Sequence, residues 1–106
     1  MGILSRLLRR RNNGEEIQIV SRRPVGKFRV KGSFRVGQRK VLTGVLEDGM
    51  ATPGYKLKGE AGVAMIYKIE REGRVVDFVV DGDEAALILE GELKTDEGEV
   101  LEVYTS

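Results

Sequence analysis

Across KFRVKGSFRV, residues 27–36, Lys27, Arg29, Lys31 and Arg35 alternate with the apolar Phe28, Val30, Phe34 and Val36. A period of two sends the two sets to opposite faces of a β-strand, whereas a helix would scatter the same residues around its axis. The pattern predicts a half-buried strand. Further stretches rich in β-branched and apolar residues follow at RKVLTGVLE (39–47), VAMIYKIE (63–70), RVVDFVV (74–80), EAALILEG (84–91) and EVLEVYT (99–105). Turn signals separate them: Asp48-Gly49, Pro53-Gly54, Glu72-Gly73, Asp81-Gly82-Asp83 and the Gly-bearing TDEGE. Pro before Gly suits the two central positions of a type II turn.

Six short strands with evenly spaced turns, and no helical period after residue 14, predict an all-β domain. A closed barrel is preferred over a sandwich, because a chain of 106 residues is too short to cover open sheet edges. The expected organisation is an N-terminal arm over residues 1–14 and one barrel over 15–106. Expected core positions are Phe28, Val30, Phe34, Val41, Ile66, Leu87 and Leu89.

The composition removes whole classes of chemistry. With no Cys and no His, disulfides, thiolate nucleophiles, imidazole bases and the usual zinc sites are excluded. Charged residues make up 33% of the chain while amides are few, a balance associated with heat-adapted proteins, and a cytoplasmic location fits the absence of Cys.

The candidate for carboxylate chemistry is Asp81-Gly82-Asp83. Placed on a calcium-binding loop, Asp77 and Asp81 would be ligands one and five. Val79 then falls at position three and Ile88 where a bidentate Glu is required. The spacing fails at two essential places. For acid–base catalysis Asp81, Asp83 and Glu84 crowd a single turn, with nothing to raise one pKa above another. The reading that accounts for all three residues is a turn: Gly82 takes a positive φ, Asp83 caps through its carboxylate, and Ala85-Ala86 leave room for a neighbouring strand. No metal, no catalytic residue and no cofactor are expected.

FRVGQRKVLTGVLEDGMATPGYKL, then VAMIYKIE, then DGDEAALILEG, together resemble the second domain of the translational GTPases such as elongation factor Tu. Val41, Gly44, Leu46 and Gly49 fit that family's V-x-x-G-x-V-x-x-G strand, and Gly54 its next glycine. Ile69-Glu70 match a strand ending in Ile or Val then Glu. Gly82, Asp83, Ala85, Ala86, Leu87, Leu89 and Gly91 match G-D-x-[VA]-[GA]-[LI]-x-L-x-G. The resemblance runs in one register from about residue 24 to 91. It implies a closed six-stranded antiparallel Greek-key barrel whose partners are ribosomal RNA or the acceptor end of tRNA. It further implies that Glu70 stands where a glutamate lines the pocket for the terminal adenosine. No G-x-x-x-x-G-K-[ST] phosphate loop occurs in these residues, so the expectation is a non-catalytic, translation-related binding module without a nucleotide cofactor.

Charge supplies the other site candidate. Residues 1–40 carry twelve Lys and Arg against two acids, and residues 41–106 carry six against fifteen. Lys27, Arg29, Lys31 and Arg35 are read as pointing the same way from one strand, about 7 Å apart at alternate positions, with Arg22, Arg23, Arg39 and Lys40 extending the patch. Such a ridge suits an RNA backbone. It suits equally a surface network in which Glu90, Glu92, Glu99 and Glu102 neutralise it, which would favour a protein adaptor, for example one docking a ribosome-associated protein. The arm, MGILSRLLRRRNNGEE, places Ile3, Leu4, Leu7 and Leu8 on one helical stripe with Arg6, Arg9, Arg10 and Arg11 around it. It is too short to span a bilayer, and its uses are packing on the barrel, RNA docking or contact with an anionic membrane surface.

Overall fold

The computed structural model describes residues 17–106; the expectations for the arm lie outside them. Eight strands follow one another: β1 (Gly26–Val36), β2 (Arg39–Ala51), β3 (Lys56–Gly59), β4 (Gly62–Arg71), β5 (Arg74–Val76), β6 (Val79–Val80), β7 (Glu84–Glu90) and β8 (Val100–Tyr104). Six of them close a ring in the order β1-β8-β3-β4-β7-β2 and back to β1. Every pairing is antiparallel. The succession β3, β4, β7 is followed by a return of β8 to the far side of β3, which is the Greek-key arrangement. The short β5 and β6 hang on β4 and β2 outside the ring.

Closure follows from the alternation. Phe28 and Val30 of β1, Leu42 and Leu46 of β2, and Leu87 and Leu89 of β7 all point to the axis and are buried. Leu57, Ile66, Ile69 and Leu101 complete the interior. Removing a side chain of this size from water stabilises by about 1.5–3 kcal/mol. The preceding segment is held along the ring's edge by the amides of Val20 and Ser21, which donate to Ser106 O at 2.8 Å.

The turns do what their residues dictate. Tyr55 N donates to Thr52 O across Pro53-Gly54 at 3.1 Å. Glu72 and Gly73 take φ values of 52° and 80°, the pair of positive angles of a two-residue hairpin. At Asp81-Gly82-Asp83 the chain reverses through Gly82 at φ 86°, and Asp83 Oδ2 accepts from Val80 N at 2.9 Å. The interruption in the apolar run is a capped turn.

Three expectations change. Asp48-Gly49 does not reverse the chain: β2 runs through it to Ala51. Glu47 has no partner on β1 in the register, and Gly49 at φ 81° bends the strand where a Cβ would lie 1.8 Å from Val25 O. Residues 74–80 are two strands rather than one, split at Asp77-Phe78, because the first half pairs with β4 and the second with β2; both lie outside the ring, whose sixth strand is instead β3, not among the expected strands. The third change concerns Phe34, which is 52% exposed and lies outside the core. Val30 pairs with Gly44 and Gly32 with Thr43, so Lys31 is an extra residue on β1. That bulge inverts the phase of everything after it. Phe34 therefore pairs with Val41 on the outer face.

Candidate nucleic-acid interface

The inverted half of β1 creates a site. Phe34 and Val36 lie on the outer face with Val41 and Arg39 as their β2 partners. Val41 in turn pairs with Ile88 of β7, and Ile88 with Lys68 of β4. A second bulge, at Tyr67 between Ile66 and Lys68, brings Lys68 to the outer face beside the outward-facing Tyr67. Together with Glu70 and Ala86 these residues line a cleft of about 290 Å³. Its walls are apolar and its one carboxylate is Glu70. The expected core residue Val41 is buried, but beneath this cleft rather than on the barrel axis.

Arg39 forms one rim. Its guanidinium carbon lies 3.8 Å from the centroid of the Tyr67 ring, a stacked cation–π contact, and its Nη1 donates to Leu89 O at 3.4 Å. Lys68 Nζ approaches the same ring at 5.7 Å. Beyond Glu70 and Ala86 a second, charged cleft of about 520 Å³ opens, lined by Lys31, Thr43, Arg71, Glu72 and Glu84 among others. Glu70 stands on the wall between the two.

The basic ridge divides. Lys27, Arg29 and Lys31 do share the outer face of β1, but the bulge places Arg35 with Lys40 on the opposite side of the ribbon, correcting the reading that all four point one way. Most of the ridge is already engaged. Arg29 is paired with Glu47, which holds its guanidinium in the charged form through a hydrogen bond and the adjacent charge. Lys31 Nζ meets Glu84 at 2.9 Å, and Arg35 meets Glu92 at 2.5 Å. Lys31 keeps the Glu84 carboxyl below its ordinary pKa, by hydrogen bond first and charge second. Of the acids expected opposite the ridge, Glu92 is the one in an ion pair with it; its other two partners, Glu47 and Glu84, were not among those expected. Glu102 faces Lys27 in register but instead accepts from Tyr104 OH at 2.8 Å, a bond that raises the Tyr104 pKa. Arg22 and Arg23 are exposed ahead of β1, and among the described residues neither they nor Lys27 and Lys40 form an ion pair.

Phe34, Val36, Tyr67, Lys68 and Ile88 are functional candidates that pattern reading missed. Two signals pointed to them. The runs Val41-Leu42 and Leu87-Ile88-Leu89 are apolar at consecutive positions, so both faces of β2 and β7 are apolar there. Glycine inside a strand, Gly32, marks a bulge.

The family model of elongation factor Tu domain 4 matches residues 23–102, which takes in the ring from β1 through β7 and the first part of β8. The chain belongs to that family. The motifs resemble the second domain of the translational GTPases where the matched description is domain 4; the two agree on a translation-factor barrel. Among solved structures, GDP-bound aIF5B from Aeropyrum pernix superposes with a TM-score of 0.67 at 22% identity, over 96% of this chain and 17% of that one. A bacterial selenocysteine-specific elongation factor gives 0.65 at 24% identity, over 95% and 18%. The elongation factor SelB from Methanococcus maripaludis gives 0.67 at 20% identity, over 93% and 22%. These likenesses establish the fold, and the chain spans roughly a fifth of the length of each relative. No curated protein matches the sequence. A domain of the elongation factor Tu domain 4 family is not itself a catalytic domain, and it fits a translation-related module.

Proposed function

We propose that this barrel binds RNA by accepting an unpaired base, at the acceptor end of tRNA or in a ribosomal RNA loop, into the cleft between Phe34 and Tyr67. The observation that carries the reading is the cleft: apolar and aromatic side chains held at the surface by two bulges, with one carboxylate at Glu70. Single-stranded RNA is recognised through bases splayed onto such surfaces and hydrogen-bonded at their edges. The space, about 290 Å³, is near the lower end of small-ligand sites, roughly 300 Å³. It suits one base and no duplex. Glu70 is placed to accept from an exocyclic amine, in keeping with the glutamate that the translational-GTPase resemblance implies for a terminal adenosine. Two of the similar structures are named as elongation factors, which supports a translational setting.

The paired ridge makes a general phosphate-tracking surface the weaker part of this reading, leaving Arg22, Arg23 and Lys27 to add non-specific attraction. A protein-docking role draws on a separate set of exposed apolar residues around β6, Met50, Phe78 and Val80. The deciding experiment is fluorescence anisotropy at low salt with a tRNA whose 3′ end is single-stranded and with the same RNA capped by a complementary oligonucleotide. The open end is expected to bind, and Phe34→Ala to weaken it by about 1–3 kcal/mol. Equal binding of the capped RNA, or none of either, would leave the docking role ahead.

A further inference from the structure

We infer that Arg39 and Lys68, gathered around the Tyr67 ring, form a phosphate-binding subsite at the rim of the cleft, so that the site takes a nucleotide rather than a base alone. The inference rests on the base reading of that cleft and adds a second point of contact to it.

Four cations line the two outer-face clefts: Lys31 and Arg71 in the charged one, Arg39 and Lys68 in the apolar one. Lys31 is paired with Glu84, and Arg71 lies 3.6 Å from Asp83. Among the described residues Arg39 and Lys68 have no carboxylate within ion-pair distance. They face instead the same aromatic ring, at 3.8 Å and 5.7 Å from its centroid. The ring's π-face offsets only part of the cost of leaving each cation without a counter-charge. An anion bound at this rim would supply it.

The geometry favours an oxyanion with several acceptor atoms. Arg39 is oriented by stacking and by its single bond to Leu89 O, which leaves the rest of its planar fork of donors for a ligand. Lys68 lines the same cleft and supplies a second donor. The bulge at Tyr67 sets Tyr67 and Lys68 on one face at consecutive positions, which brings both cations to the same ring. Phe34 and Val36 line the same cleft, so a base resting on them places its sugar and 5′-phosphate toward the rim that carries the two cations. Glu70, the other ionised group of the cleft, lies two residues beyond Lys68 on the same face and is left to the base.

The test compares adenosine with adenosine 5′-monophosphate on the full chain, by NMR shift titration of the wild type and of Arg39→Gln, Arg39→Lys, Lys68→Gln and Phe34→Ala. The monophosphate is expected to bind about tenfold more tightly than the nucleoside. Arg39→Gln or Lys68→Gln should reduce that margin to about twofold by weakening the monophosphate more than the nucleoside, and Arg39→Lys should keep part of it. Equal affinities in the wild type, or a margin that survives both Gln variants, would overturn the subsite. An Arg39-dependent margin with Phe34→Ala silent would keep the subsite and refute the base reading. Failure of both probes to bind would remove both.

Discussion

The two halves of β1 carry the same alternation and meet opposite fates. Before Lys31, Phe28 and Val30 enter the core, Phe28 at 0% exposure; after it, Phe34 and Val36 stand at 52% and 61% on the outside. One inserted residue accounts for the difference, because each face of a strand is defined only relative to an unbroken register. The first half is structural and the second is available for recognition. A strand of eleven residues thus serves the core and the surface in turn.

The sharpest test removes each phenylalanine. Phe28→Ala leaves a cavity at the centre of the ring and is expected to cost about 3–5 kcal/mol, read by chemical denaturation. Deleting Lys31 probes the bulge itself. With the extra residue gone, Gly32, Ser33 and Phe34 keep Thr43, Leu42 and Val41 as partners, so Phe34 is expected to stay on the outer face and the core to keep its packing. A loss of about 1–2 kcal/mol is expected from straightening the strand pair. Protection of Phe34 from solvent in the deletion variant would show that the phase is set elsewhere. Phe34→Ala, in contrast, should change stability by no more than about 0.5–1 kcal/mol, because half the ring is already in water. A thermal melt indistinguishable from that of Phe28→Ala would erase the distinction between the halves.

Five of the ring's six strands were legible in the sequence because they are rich in alternating apolar residues and their reversals sit on Gly-bearing turns, Pro53-Gly54, Glu72-Gly73 and Asp81-Gly82-Asp83; β3, four residues long, was not. The bulges were not. Lys31 looks like any outward residue of an alternating strand, and its extra status emerges only from the partner strand, where Gly44 and Thr43 are consecutive. Glu47 and Tyr67 hide in the same way. Glu70 came into view through resemblance, but the cleft around it depends on two register shifts that pattern reading does not contain. The ion pairs were half legible. The charge split along the chain announces that basic and acidic segments meet, while which acid meets which cation is set by the closure of β1 against β2 and β7.

The smallest effect lies at the bulge residue. Lys31 donates to Glu84, and that hydrogen bond, aided by the adjacent positive charge, holds the folded-state pKa of Glu84 below its ordinary value of 4.5. A carboxylate with a depressed folded pKa contributes stability that is fully present above its unfolded pKa and is lost as the pH falls through the folded one. The contribution of this pair therefore begins to fade near pH 4.5 and continues to fade below it. Both side chains are largely exposed, so salt should weaken the effect as well. An NMR titration of the Glu84 carboxyl is expected to show the depressed pKa in the wild type and a return toward 4.5 in Lys31→Met. The exchange also keeps a long side chain at the bulge, so Phe34 should stay on the outer face. If Phe34 instead became protected in that variant, the charge at position 31 would be maintaining the inverted phase, and the two halves of β1 would differ through an ion pair rather than through the count of residues.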